Sequence, residues 1–232
     1  MLLLLKLASA ETIEEAFPPP SGERVATEGY GASLKTLELR AAEVPVRTHD
    51  GREVNHQARV VELPLVPGDL QQCADSLIRL RATWELEQEQ EVVFHATSGD
   101  ALPWARYRDG ETPYVVDDRI AWKTGGTGQF EDYLAKVFMW AGTHSLEHLD
   151  TVPTTEVVPG SMLIQGGFPG HAVVLLDVAV SGDKTYVLVG EGYMPAQDFH
   201  VELGPHSGWW LWEEGLPSYH WPMKAANLRA FD

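Results

Sequence analysis

Residues 161–193, SMLIQGGFPGHAVVLLDVAVSGDKTYVLVGEGY, constrain the chain more than any other stretch. They hold three runs of mostly β-favouring residues: SMLIQ, HAVVLLDVAV and KTYVLVGEGY. Gly166, Gly167, Pro169 and Gly170 break the chain between the first two. Only Ser181-Gly182-Asp183-Lys184 separates the second from the third, which reads as a hairpin. Links this short join antiparallel neighbours, because a parallel pair needs a crossover of about a dozen residues or more. The middle run opens on His171, a titratable imidazole at the mouth of a strand that otherwise belongs in a core.

Upstream, PGDLQQCADSLIRLRATWELEQ (67–88) is the clearest helix. Asp69 is the predicted N-cap, and Gln72 three residues later completes a capping box. That register puts Cys73 at the fourth helical position, near the positive end of the dipole. Leu70, Cys73, Leu77, Leu80 and Trp84 recur at spacings of three and four and share one face. A second helix spans GTGQFEDYLAKVFMWAGT, with Phe130, Leu134, Val137, Phe138 and Ala141 as its stripe and Gly142 at C′. Extended segments are predicted at 32–40, 44–54 (Asp50-Gly51 as a tight turn), 58–66, 92–99, 113–122 and 199–203. Helices come early and mid-chain and a meander comes late, so the class is α+β rather than doubly wound α/β.

The chain has 232 residues, enough for one sizeable core. Acidic residues outnumber basic ones, 34 to 17, and this excess argues against nucleic acid and against an anionic membrane surface. No apolar run is long enough for a transmembrane segment. The start, MLLLLKLASAE, reads as a truncated or mis-started export signal or a disordered leader, and residues 1–16 are set apart from a single domain over 17–232. Cys73 is the one cysteine, which excludes an internal disulfide and a Cys-rich zinc site.

Four groupings could carry chemistry. The first is Cys73 with His171, since a thiol near a helix N-terminus and beside an imidazole becomes a nucleophile. Asp177 shares the His171 face but lies roughly 20 Å along the strand, so Glu191, Gln197 or Asp198 are better partners for the imidazole. Against this, Cys73 sits on an apolar helical face and also reads as a small core residue. The second is GEGYMPAQDFHV, where Glu191, Gln197, Asp198 and His200 crowd a kinked segment. With His171 they could bind zinc, although no H-E-x-x-H spacing supports it and a hydrogen-bonded turn explains them too. The third is HSGWWLWEEGLPSYHW, whose aromatics read first as packing and second as a substrate wall. The fourth is Arg79 with Arg81, which point to different faces and read as salt-bridge partners or a carboxylate site. Walker A, G-x-G-x-x-G and G-x-S-x-G patterns are absent, and no cofactor is assigned.

QQCADSLIRLRA, PGSMLIQGGFPGHAVVLLDVA and EGYMPAQDFHV resemble the signature segments of a bacterial family known only as domain of unknown function 4846. The resemblance also takes in YGASLKTLELRAAEVPVRTHDGREV and FEDYLAKVFMWAGTHSLEHL, and covers roughly residues 17–232. Many members look exported, so it implies an extracytoplasmic location. PGSMLIQGGFPGHAVVLLDV is also similar to the strand–gap–Gly-His–strand element of NlpC-type papain-like hydrolases, which cut amide bonds of cell-wall peptides. Ser161 stands where that element has Asp, and a longer segment separates Cys73 from His171. This likeness implies a papain-like helix packed on an antiparallel sheet, with an inserted mid-chain helical segment. It implies Cys73 as nucleophile, His171 as base and Glu191 as orienting group; Gln165, Gln197, Asp198 and Trp122 are the candidate binding residues. The activity expected is a cysteine amidase or peptidase acting on cell-wall peptide. The alternatives are a non-catalytic papain-like module binding glycan or peptide, and a metal-dependent hydrolase using His171, Asp198 and His200. Oligomeric state is not legible.

Overall fold

The computed structural model describes residues 11–231. Among these residues the α-helices are α1 (Ile13–Ala16), α2 (Gly29–Lys35), α3 (Cys73–Glu87), α4 (Trp104–Arg108), α5 (Phe130–Trp140) and α6 (Thr143–His148). The strands are β1 (Glu23–Arg24), β2 (Ala58–Val60), β3 (Val93–His95), β4 (Ala101–Pro103), β5 (Glu111–Val116), β6 (Arg119–Thr124), β7 (Thr151–Pro153), β8 (Met162–Gln165), β9 (His171–Ser181), β10 (Lys184–Glu191), β11 (His200–Glu202), β12 (Trp210–Leu211), β13 (Gly215–Leu216), β14 (Met223–Lys224) and β15 (Leu228–Phe231). The main sheet runs β2-β11-β10-β9-β8-β15-β7, with β1 also on β9 and β12 also on β10. Its described pairs are antiparallel, so the fold is α+β.

The meander forms as its spacing predicts. Gly182 takes a positive φ between Ser181 and Lys184, which pair across the β9–β10 hairpin. β9 is central because both its faces are apolar. Ala172, Val174 and Leu176 pack on the helical side, whereas Val173, Leu175 and Val178 pack under the C-terminal segment with Leu216, Tyr219 and Met223. Fully burying each such side chain is worth about 1.5–3 kcal/mol, so this strand anchors two cores. Asp177 is buried further along β9 and pairs with Arg24 at 2.6 Å, remote in role from His171.

Helix α3 packs across β9. It starts at Cys73, not near Asp69, so Cys73 is the first helical residue and Gln72 the N-cap. Asp69 is drawn off as a cap because its carboxylate accepts the Ala196 N–H at 2.6 Å, while Asp75 accepts the N–H of Gln72 at 3.0 Å. The helix is enclosed on nearly every side: Leu77, Ile78 and Ala82 are fully buried. Arg79 is buried too, with a bidentate pair to Glu131 at 2.9 and 2.7 Å and a bond to Gln71. Arg81 pairs with Glu85 and lies over Trp84, so both arginines are structural.

Other expectations need correcting. Residues 29–35, partly read as extended, are helical. Residues 11–16, set aside as leader, join the fold: α1 buries Ile13, and Thr12 bridges Glu38. The export-signal reading falls on residues 1–10, outside the described residues. Gly142 is not a left-handed C′ residue; it is extended and caps α6. The segment 113–122 is not one strand but a hairpin, β5–β6, turning at Asp117-Asp118. The stretch between α3 and β8 thus carries two hairpins besides α4, α5 and α6. Among the described residues no helix is long and apolar enough to cross a membrane.

Candidate functional site

Cys73, His171 and Glu191 meet where the start of α3 crosses the end of the sheet. His171 opens β9 and Glu191 closes β10, two ends that the antiparallel hairpin brings side by side. His171 donates from Nε2 to Oε2 of Glu191 at 2.8 Å, and both side chains are 2% exposed. The Cys73 thiol is the ring's other electrostatic neighbour and, with Glu191, favours its protonated form. Tyr219 stacks on the imidazole with ring centres 6.5 Å apart, and Trp221 tilts over it at 5.2 Å. Trp221 is held in turn by Gln165, whose side-chain oxygen accepts its indole N–H at 2.9 Å.

Two glycines make this junction possible. A Cβ on Gly192 would stand 2.5 Å from the Ser76 hydroxyl and 3.0 Å from the Gln72 carbonyl, so any side chain there would push α3 off the end of β10. A Cβ on Gly170 would meet Thr143 Oγ1 at 2.3 Å and the Gln165 carbonyl at 2.5 Å. The glycine-rich segment before His171 can therefore lie flat against α6.

Electrostatics hold the three groups together. Burial pulls the His171 imidazole down, but Cys73 and Glu191 outweigh it and push the group up to about 9. Burial pushes the Glu191 carboxyl up, but its contacts with His171 and His200 overcome this and hold it well below the usual carboxylate range. Asp75, buried in the first turn of α3, has no such compensation: burial drives its carboxyl up to about 8 against the Gln72 N–H bond.

Cys73 lines a cavity of about 450 Å³ bounded by Gln72, Phe138, Met139, Thr143, Gly170 and Met194. Phe168 stands at its rim, 82% exposed. A thiol on the wall of an open cleft, backed by an imidazole that a carboxylate fixes, is an arrangement compatible with nucleophilic chemistry.

The remaining expected residues scatter. Gln197 lines a second cavity, on the other side of Glu191. Asp198 turns away from both, pairing with Arg40 at 3.0 Å and accepting the Arg47 N–H at 2.8 Å, which removes it from the expected His171–Asp198–His200 set. Trp122 lines neither cavity; it sits on the β5–β6 hairpin under Arg106, whose guanidinium is 4.7 Å from its ring. Trp209 is fully buried, as the packing reading of the tail expects. His56, Glu202 and His220, which sequence reasoning missed, line the second cavity with Glu191 and His200. A signal for Glu202 was present: two residues after His200 on one strand, it must share that face. His220 lay hidden among aromatics, and His56 lies in a loop without pattern.

The chain belongs to the family described as domain of unknown function (4846), whose model matches residues 13–229. No curated protein and no solved structure matches it.

Proposed function

We propose that this member of the family is a cysteine hydrolase of amide bonds, with Cys73 as nucleophile, His171 as general base and acid, and Glu191 as the residue that positions the imidazole. One observation carries the reading: Cys73 lines an open cleft and interacts behind it with the buried His171, whose imidazole bonds the Glu191 carboxylate. With Nε2 committed to Glu191, Nδ1 is left to exchange protons with the thiol.

The chemistry balances on these groups. His171 takes the thiol proton, and the sulfur attacks the carbonyl carbon, forming a C–S bond and placing the electron pair on oxygen. The first N–H groups of α3 have no intrahelical acceptors and carry the positive end of its dipole, which suits them to that oxyanion. The imidazolium then protonates the leaving nitrogen as the C–N bond breaks. Water, deprotonated by His171, opens the thioester to a carboxylic acid and returns the thiol.

The similarity of residues 159–178 to NlpC-type hydrolases directs the substrate search to cell-wall peptides. An acidic chain suits substrates with free amino groups, and the cleft adds apolar surface from Phe138, Met139 and Met194.

The test is the iodoacetamide alkylation rate of Cys73 against pH, followed by turnover of peptidoglycan fragments. Wild type should alkylate readily near neutrality, and His171→Ala should need a higher pH for the same rate. Cys73→Ala should abolish product release while keeping its melting curve. A thiol that reacts only in denaturant, or turnover that survives Cys73→Ala, would overturn the proposal.

A further inference from the structure

Glu191 has a second side. Its Oε2 serves His171, and its Oε1 faces a cavity of about 300 Å³ lined by His56, His200, Glu202, His220 and Tyr193. His200 is the decisive residue. It is fully buried, and its Nδ1–H donates to the backbone carbonyl of its near neighbour Asp198 at 2.9 Å. That bond commits Nδ1 and leaves Nε2 as the ring nitrogen that can serve as a ligand. Nε2 has no hydrogen-bond partner, since the nearest carboxylate oxygens, Glu191 Oε1 and Glu202 Oε2, stand 3.6 Å away, too far for a hydrogen bond. A buried nitrogen without a partner is costly and calls for an occupant.

We propose that His56, His200 and Glu202 form a binding site for one divalent transition-metal ion, zinc being the best match. Their ligand atoms all lie within 4.8 Å of one another. Ligands at the usual zinc distances in a tetrahedron stand about 3.3–3.4 Å apart, and the His200–Glu202 separation of 3.6 Å is already close to that. Two imidazoles and one carboxylate are a nitrogen–oxygen set suited to zinc, iron(II) or cobalt(II) rather than to magnesium or calcium. The fourth position faces the cavity, where His220 is within reach: its ring nitrogens are 3.5 Å from Glu191 and 3.9 Å from Glu202. The neighbouring trio of His171, Glu191 and His220 is also compact, but the Nε2 of His171 is already hydrogen-bonded to Glu191. The ion would lie across Glu191 from the thiol pair, and the site stands whether or not Cys73 is a nucleophile.

The experiment uses the full chain. Metal content is measured by elemental analysis after purification without chelator. The protein is then stripped and titrated with zinc against a chromophoric chelator, and separately with cobalt(II) while its visible absorption is read. One equivalent should bind, with a cobalt band of tetrahedral intensity. His56→Ala and Glu202→Gln should each weaken zinc binding at least about tenfold, the range seen for changes around metal ligands. Cys73→Ser should bind zinc as wild type does. His56 is a loop residue with a third of its side chain exposed, so its variant keeps the fold, which circular dichroism checks. Binding below one equivalent at saturation, affinity unchanged in both ligand variants, or zinc lost on Cys73→Ser would each overturn the assignment.

Discussion

Glu191 separates two cavities that are built in opposite ways. On the Cys73 side the imidazole bonds Glu191 through Nε2 and interacts with the thiol, and helix, sheet and glycine segment lock it in place. On the His200 side, three imidazoles and a second carboxylate crowd together while a fully buried nitrogen stays without a hydrogen bond. On the proposed reading the first cavity receives a substrate. The second is incomplete and needs a ligand. One buried carboxylate, 2% exposed, ties them together, so a change there tests both at once.

The largest effect should come from Glu191→Gln. The amide keeps the shape but leaves the His171 positive charge buried without its counter-charge. Removing one partner of a buried pair costs about 3–5 kcal/mol. Chemical denaturation should show a loss of that size at neutral pH, and Cys73 alkylation should slow. A variant as stable as wild type would mean that His171 is neutral in the folded protein and that the two cavities are independent.

Asp75 gives a narrower test, confined to the thiol side. Its carboxyl is raised from 3.8 to about 8 in the folded state. The folded protein therefore holds a proton that the unfolded chain releases across that range. The associated stability is complete below about pH 4 and is lost as pH rises through 8, at up to about 1.4 kcal/mol per pH unit. Asp75→Asn lacks this titration. The stability of wild type relative to the variant should fall steadily from pH 4 to pH 8 and level off beyond. A constant difference would show Asp75 ionised throughout.

The two cavities also differ in how far the sequence revealed them. The thiol side was legible because each part leaves a local mark: an apolar β run opening on histidine, glycines where the chain must approach closely, one cysteine near a helix start, and an acid at the end of the next strand. Even there the register of α3 was misread by three residues, because Asp69 had a better partner in Ala196, 127 residues away. The histidine side was nearly silent. His56, Glu202 and His220 come from a loop, a short strand and an aromatic tail, and only long-range pairing of β2 with β11 and closure by the C-terminal segment bring them together. Trp122 failed as a binding residue for a related reason: a large aromatic on a hairpin finds its own cation, here Arg106, before it finds a ligand.

The smallest effect separates substrate binding from chemistry on the thiol side. Phe168 is 82% exposed at the rim of the Cys73 cleft, and its ring stacks only loosely on His144, with centres 6.0 Å apart. An exposed ring contributes little to folding, so Phe168→Ala should change stability by no more than about 0.5 kcal/mol. Alkylation of Cys73 by a small reagent should be unchanged, because the thiol and its imidazole lie deeper. A peptide that fills the cleft would bury part of the ring, and losing that contact should raise KM several-fold with kcat almost constant, the mark of binding shared equally by ground and transition states. A fall in kcat instead would mean that the rim closes over the substrate and helps to align it, which would make the segment from Gly166 to Gly170 a working part of the site and not only the hinge that delivers His171.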